Sequence, residues 1–465
     1  MKRRILIENK KLLLLLCIFA FVLLSFLLLI STTSKKKDTH IIETTTVPEQ
    51  ASVHTPEEFG ANGFDKKADT TALQKAINKG GTIVLKSGAT YIIDKPLESN
   101  LTIHIKTDKY ESATILQKAK DSAFIFDNKS ILTTAVTQPI SSKQLYIELH
   151  STKGISPGML LHLKSDKPWY WDDRGYLTKG ELHKVTKVDG HKVYLERPLV
   201  EGYQAGKGEE VTVTLYPSAA LYLENIEFAH PEPYNTIMVK VNNTMNSKLQ
   251  NVTVKNSKRI GILLHTTYQT EVTNALIDLQ TTKDVTSGYG IQDYGGTGTF
   301  ITDSTFKRIR RGVDFSGDTP SRYGVVENSK SLGYGKGKLA SGNSGFGTHS
   351  TAEYITFRNN YVEDFNYGFL VRGRDITVEG NTLNGRSISF IAITFGDNVK
   401  VIKNEYQSSF NSALDMFILV YDNYKGKIEA NQNVIEALDG PFIKGKIGLL
   451  ESFSIKENDV KYKKK

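Results

Sequence analysis

The sequence predicts an all-β protein: a single-stranded right-handed parallel β-helix, a solenoid, closed at its start by a capping helix and preceded by one transmembrane helix. Three observations predict it. The pattern hydrophobic-x-hydrophobic-x-x-Asn occurs at Ile355 to Asn360, Ile376 to Asn381, Val399 to Asn404, Ile428 to Asn433 and Phe453 to Asn458. Its asparagines are 21, 23, 29 and 25 residues apart. A unit that short cannot bury its own apolar side, so successive units must stack and share a core. The alternation of Ile355 with Phe357 and of Ile376 with Val378 has the period of a strand. An asparagine at each bend tolerates the left-handed backbone conformation and can pair its amide with the same amide one coil away. The second observation is a short amphipathic helix ahead of the first strand, and the third is a long apolar run near the N-terminus.

Taken in chain order, residues 1–11 form a basic cytoplasmic tail. Leu12 to Ile30 is apolar apart from Ser25. Its length at about 1.5 Å per residue approaches the roughly 30 Å bilayer core, which predicts a membrane span. Five basic residues precede it and three follow, so the N-terminus faces the cytoplasm and everything after Ser31 lies outside, at the cell surface. No small-x-small cleavage site follows the run, which favours an uncleaved anchor. Ser31 to Thr55, poor in apolar residues, then reads as a disordered tether.

Residues 56–143 are expected to hold the N-terminal cap and the first coils. Leu73, Ala76 and Ile77 share one helical face, Gly80-Gly81 stops the helix, and Thr82 to Leu85 begins a strand. The stretch TPEEFGANGFDKKADTTALQKAINKGGTIVLKSGATYIID resembles the opening of the pectate-lyase superfamily, with Ala68-Asp69 where that superfamily usually has paired aspartates. The resemblance implies a helix plugging the open end of the solenoid and, more loosely, a carbohydrate-active surface. Residues 144–216 lack the asparagine pattern. Short alternating segments there, His183 to Val188 and Lys192 to Leu195 around the Asp189-Gly190 turn, predict a small β insertion packed on the early coils. Its cluster Trp169, Tyr170, Trp171, Arg174 and Tyr176 suits either sugar stacking, with Trp169 and Trp171 as binding residues, or a hydrophobic plug. Residues 217–465 form the main body of the solenoid.

Composition excludes several classes. The net charge of +9 is concentrated at the ends: twelve of the 59 basic residues but only two of the 50 acidic ones lie outside residues 39–460, leaving 47 basic against 48 acidic and a net charge of −1. A neutral body has no basic face for nucleic acid phosphates. The only cysteine, Cys17, falls in the apolar run, so the folded part contains neither a disulfide nor a thiolate metal site.

Chemistry is expected on the coils between Gly261 and Asp375. Gly261, Gly290, Gly312, Gly345 and Gly368 each precede an apolar residue, namely Ile262, Ile291, Val313, Phe346 and Phe369. If these five point inward, the second and fourth positions after each glycine face outward. One exposed column then holds His265, Tyr294, Ser316, His349 and Arg372, beside a second with Gln292, Asp314 and Gly347. Adjacent strands are about 4.8 Å apart, close to the span of one sugar ring, so the columns predict a polysaccharide groove. The Gly-rich loop from Gly333 through Lys336 and Lys338 to Gly345 lies next to it, and its glycine spacing is not a nucleotide loop because no helix follows.

His349 and Arg372 form the central pair. Removing a proton beside a uronate carboxylate requires a base that titrates near the working pH and a cation on the carboxylate; His supplies the first and a bidentate Arg the second. Gly345-Phe-Gly-Thr-His-Ser350 resembles the tyrosine-glycine-phenylalanine-aspartate-proline-histidine motif of alginate C5-epimerases, retaining the histidine but carrying Ser344, Gly347 and Thr348 at three of the other positions. Tyr294 or Tyr289 could exchange a proton on the opposite sugar face; His265 and Gln292 lie on the groove floor, and Arg310, Arg311 and Arg374 could hold neighbouring carboxylates. The predicted activity is that of a polysaccharide lyase or epimerase. A hydrolase built on Asp314 with Asp318, Glu353 or Asp364 is the alternative chemistry, although the polygalacturonase motifs are not matched. A tethered, non-catalytic polysaccharide-binding groove is the third reading. Calcium is the one cofactor the chemistry suggests, yet no outward cluster of three acids on adjacent coils would hold it.

Overall fold

The structure is a computed structural model that describes residues 52–169, 177–281, 287–333, 343–385, 387–408, 416–421, 424 and 426–463. Leu12 to Ile30, residues 31–51 of the tether, Tyr170, Trp171, Arg174, Tyr176, Lys336 and Lys338 lie outside the described residues. Among those described, no helix is long and apolar enough to cross a membrane. The end of the expected tether is ordered: Val53–His54 is a strand paired in parallel with Thr82 and Ile83.

The chain winds as a right-handed parallel β-helix. Two long parallel sheets run its length and a separate antiparallel sheet of six strands stands beside them. The helix Thr70–Ile77 buries Ala72, Leu73, Ala76 and Ile77 against the first coils, covering a core edge that would otherwise face water. Gly80 and Gly81 end the segment in the left-handed region, and the strand Gly81–Leu85 follows.

Register is set from inside. Ile262 pairs with Ile291, Ile291 with Val313, Val313 with Phe346 and Phe346 with Phe369, and all five side chains are fully buried. Farther along, aromatic rings stack coil on coil, with centroids 5.3 Å apart for Phe369 and Phe390, 4.9 Å for Phe390 and Phe417, and 5.2 Å for Phe417 and Phe442. Such pairs add about 0.5–1.5 kcal/mol each beyond the area they bury.

The glycines opening these strands are required by close approach. A Cβ on Gly290 would stand 2.4 Å from the Gly312 carbonyl oxygen, and one on Gly261 2.6 Å from that of Gly290. The residues just before two of these glycines, Tyr289 and Arg311, reach polar partners on the outer face, Arg310 and Asp314.

The asparagines form a buried ladder. Asn360 donates to Asn381, Asn381 to Asn404, Asn404 to Asn433 and Asn433 to Asn458 through their side-chain amides, at 2.8–3.1 Å. The left-handed conformation expected at these asparagines belongs to the residue before each one: Asn359, Gly380, Lys403, Gln432 and Glu457. That residue makes the bend, which leaves the asparagine in an extended approach from which its amide reaches along the stack.

The insertion starts earlier than residue 144. Leu132–Val136 pairs antiparallel with Val211–Tyr216, which pairs with Leu160–Pro168; Thr178–Asp189, Lys192–Leu195 and Tyr146–Glu148 complete the sheet. It has its own core, including Leu161, Leu163, Val185, Val193, Val213 and Leu215. Leu160 and Leu182 dock it on Met245 and Tyr268 of the solenoid. An ionic junction completes the attachment: Arg322 donates to Glu353 at 2.7 Å, to Glu201 at 2.9 Å and to the Gly180 carbonyl.

Candidate functional site

The backbone register builds the two outward columns. Asn242 pairs with His265, His265 with Tyr294 and Tyr294 with Ser316. Phe315 pairs with Thr348 and Gly347 with Leu370; His349 follows just past the first pair, and Arg372 lies beyond a register shift at Val371/Arg372. Beside this column run Leu263, Gln292, Asp314, Gly347 and Leu370.

His349 leans back over the neighbouring column. Its Nδ1 lies 3.0 Å from both carboxylate oxygens of Asp314. Arg311 ion-pairs with the same carboxylate from the other side and donates from Nε to the Ser344 hydroxyl at 3.0 Å. Gln292 donates to Asp314 at 3.3 Å and to Ser316 at 3.1 Å. Gly347 makes room for this arrangement: a Cβ there would come within 3.1 Å of the Arg311 Nε and 2.4 Å of the Leu370 carbonyl oxygen.

Asp314 was expected to be an exposed acid, and it is fully buried. Strand parity gives the face of a sheet but not the depth, and here two longer side chains lie over the carboxylate. Burial by itself would raise its pKa, but the charges of His349 and Arg311 and their hydrogen bonds outweigh that and hold it well below the usual carboxylate range. Arg311, expected to take a substrate carboxylate, is 2% exposed and is occupied by Asp314.

The His349 imidazole keeps 27% of its side-chain surface. Burial depresses its pKa, Asp314 pulls it back up, and Arg311 and Arg372 push it down, leaving it below its ordinary value. With Asp314 ionised, a neutral ring donates Nδ1–H to the carboxylate, and the lone pair of Nε2 is left for a proton from outside.

The Tyr289 ring stands edge-on to His349 at 6.3 Å between centroids, and its hydroxyl oxygen accepts from Arg310 at 2.9 Å. Tyr294 donates to Asp318 at 2.6 Å and packs on His265 at 5.4 Å. Arg372 donates from Nε to Thr394 at 2.9 Å. A cavity of about 280 Å³ opens above this floor, lined by Tyr289, Gln292, Tyr294, Ser316 and His349, with Arg259 and Ser287 on one side and Leu177 of the insertion on the other. Arg259, Ser287 and Leu177 carry no signal in the sequence, because their position depends on loops and on the docking of the insertion.

Trp169 and Arg374 stand apart from the cavity, at the junction of insertion and solenoid. Trp169 is 7% exposed and donates its indole N–H to Glu201 at 2.9 Å. Arg374 lies 5.0 Å from the centre of its ring and ion-pairs with Glu353 and Glu201. Trp169 therefore offers no ring face to a sugar, and the other members of the aromatic cluster lie outside the described residues. Among the described residues no group of three His, Cys, Asp or Glu side chains is placed to hold a metal ion.

Comparison with known proteins gives the fold. Residues 237–414 match the family model for a right handed beta helix region. A search of curated proteins by sequence finds no match. The chain is similar to the solved tailspike protein gp49 of Pseudomonas phage LKA1, with 16% identity, TM-score 0.68, and coverage of 87% of this chain and 81% of that one. It is also similar to the Gp54 tailspike of Acinetobacter baumannii bacteriophage AP22, solved in complex with capsular saccharide, with 12% identity, TM-score 0.63, and coverage of 89% and 76%. The A-module of the Azotobacter vinelandii mannuronan C-5 epimerase AlgE4 is a third similar structure, with 10% identity, TM-score 0.55, and coverage of 88% and 95%.

Proposed function

We propose that this chain is a polysaccharide-active β-helix protein that removes the proton beside the carboxylate of a uronate-containing polymer, as a lyase or a C5-epimerase. The observation that carries the reading is the His349 imidazole, 3.0 Å from both oxygens of a buried carboxylate and facing a cavity. In this reading His349 Nε2 takes the proton, Asp314 fixes the tautomer and steadies the imidazolium that forms, and Arg372 neutralises the sugar carboxylate. The Tyr289 oxygen is occupied as an acceptor from Arg310, so its hydroxyl hydrogen can serve a group in the cavity on the opposite sugar face. Tyr294, His265 and Gln292 then contact sugar hydroxyls.

Polysaccharide as the partner class is supported by the neighbours in fold, one of which was solved with capsular saccharide while another is named a mannuronan epimerase. Hydrolysis is the weaker reading. It needs two carboxyl groups facing the scissile bond, whereas Asp314 is covered by two basic side chains and Glu353 is held between Arg322 and Arg374. Leu12 to Ile30 is proposed as the anchor that displays the solenoid at the cell surface.

The test uses the full chain with uronate polymers. Rising absorbance of unsaturated sugar indicates a lyase, and deuterium uptake from solvent without chain cleavage an epimerase. New reducing ends without absorbance indicate a hydrolase, and retention without any of these indicates binding alone. His349→Ala is expected to abolish turnover, a loss of about 10²-fold or more for a general base, while polymer is still retained. Unchanged turnover in that variant rules out the assignment.

A further inference from the structure

The outer face that carries His349 continues far beyond the cavity, toward the N-terminal cap. In the second column Gln292 pairs back to Leu263, Leu263 to Lys240, Lys240 to Ile125 and Ile125 to Glu98. In the first, His265 pairs back to Asn242 and Asn242 to Asp127. Ile125, Lys240, Leu263 and Gln292 are all partly exposed, so the strip reaches solvent at each of these coils. Where it meets the capping helix, the face widens into a second cavity of about 850 Å³. From Ile125 to Asp314 is four coil steps, roughly 19 Å at about 4.8 Å per step.

The two ends differ in chemistry. The His349 cavity is lined by Arg259, while Arg372 acts on the His349 charge from nearby and Arg310 is bonded to Tyr289 of the cavity wall, so its surroundings suit a carboxylate. The far cavity is lined by Glu98, Asp127 and Lys129, with the lysine ion-paired to Asp127, so its local charge is negative and it repels a second uronate. Its other walls are Pro96, Ser99, the amides of Gln74, Asn78 and Asn100, and the apolar Leu101 and Ile125, with the Gln74 amide bonded to Asn78 and to the Glu98 backbone. Leu101 is 45% exposed. Apolar side chains under a rim of amides suit the C–H face and hydroxyls of an uncharged sugar.

We propose that this far cavity is a second binding site for the same polymer chain, taking uncharged sugar residues while the His349 cavity takes a uronate. The proposal rests on the polysaccharide reading above and narrows it: the preferred polymer mixes uronate with neutral sugars and spans both cavities.

The test measures affinity and KM for size-graded oligosaccharides, from disaccharide to octasaccharide, of a polymer with one uronate and two N-acetylhexosamines per repeat, which sets a neutral sugar four rings from a uronate, and for matching pure oligouronates. Full-chain wild type is expected to bind the long mixed oligomers about tenfold more tightly than the short ones, with little gain for pure oligouronates. The double variant Asn78→Ala/Asn100→Ala, at two exposed positions, and a cavity-filling Asn100→Trp are each expected to erase that gain. Turnover of the shortest oligomers stays as in wild type. A length gain that persists in both variants, or one equally large for pure oligouronates, overturns the second site and leaves the His349 assignment standing. If wild type and His349→Ala both fail to bind any of the oligomers, the polysaccharide reading and this inference fall together.

Discussion

At the scale of single residues, the function depends on which nitrogen of His349 is left for chemistry. Asp314 takes the Nδ1 proton as a hydrogen bond and its charge raises the imidazole pKa against the lowering by burial. Asp314→Asn removes that charge while keeping the volume. The expected result is a fall in kcat of about 10²-fold, because the imidazolium formed in the reaction loses its counter-charge. The pH profile gives a second readout. A base must be neutral, so activity is lost as pH falls through the His349 pKa, which lies below 6.5. Without the Asp314 charge that pKa drops further, and the acid limb should move to lower pH; a limb that stays in place while kcat is unchanged contradicts the pairing. Parity singled out His349 and Arg372, and the Arg372 charge acts on the imidazole. Depth was not legible: nothing in the pattern shows that Arg311, placed inward by simple alternation, pairs with Asp314 and helps to cover it.

At the scale of an element, one coil is held to the next by polar contacts inside a bend. The backbone bends at a left-handed residue that is usually not glycine, such as Lys403 or Gln432, at a cost of about 1–2 kcal/mol each. The asparagine ladder offsets this by satisfying buried backbone groups. The Asn404 side chain accepts from the Asn381 backbone N–H at 2.9 Å and donates to the Val378 carbonyl at 2.9 Å. Asn404→Ala leaves the Asn381 N–H buried without a partner and removes the second donor from the Val378 carbonyl, at about 1–3 kcal/mol. A loss of about 3 kcal/mol in unfolding free energy is expected by denaturant titration, and one below about 0.5 kcal/mol would mean the ladder is incidental. The asparagines were readable because only a short amide repeats usefully at that spacing. Their neighbours' left-handed backbone was not, because Lys, Gln and Glu carry no propensity for it.

At the scale of the whole molecule, the solenoid and its insertion meet across buried groups that the sequence gives no means of pairing. The insertion's early strand Leu132–Val136 escaped notice for the same reason: its partner, Val211–Tyr216, is about 80 residues away. One partly buried contact on this junction has a measurable consequence. His162 projects from the insertion toward Thr319 of the solenoid, its Nε2 3.3 Å from the hydroxyl, and burial pushes its pKa down to about 4 from 6.5. The unfolded chain therefore binds a proton near pH 6.5 that the folded chain refuses until about pH 4, so stability is full above pH 6.5 and falls as pH drops toward 4. At 1.36 kcal/mol per pH unit this single group accounts for about 3 kcal/mol. His162→Gln, which cannot titrate, should flatten that part of the stability curve between pH 6.5 and 4 in denaturant titrations of the full chain. If the variant loses stability over that range as steeply as wild type, the junction does not bury a neutral histidine and the docking of the insertion against Thr319 is wrong.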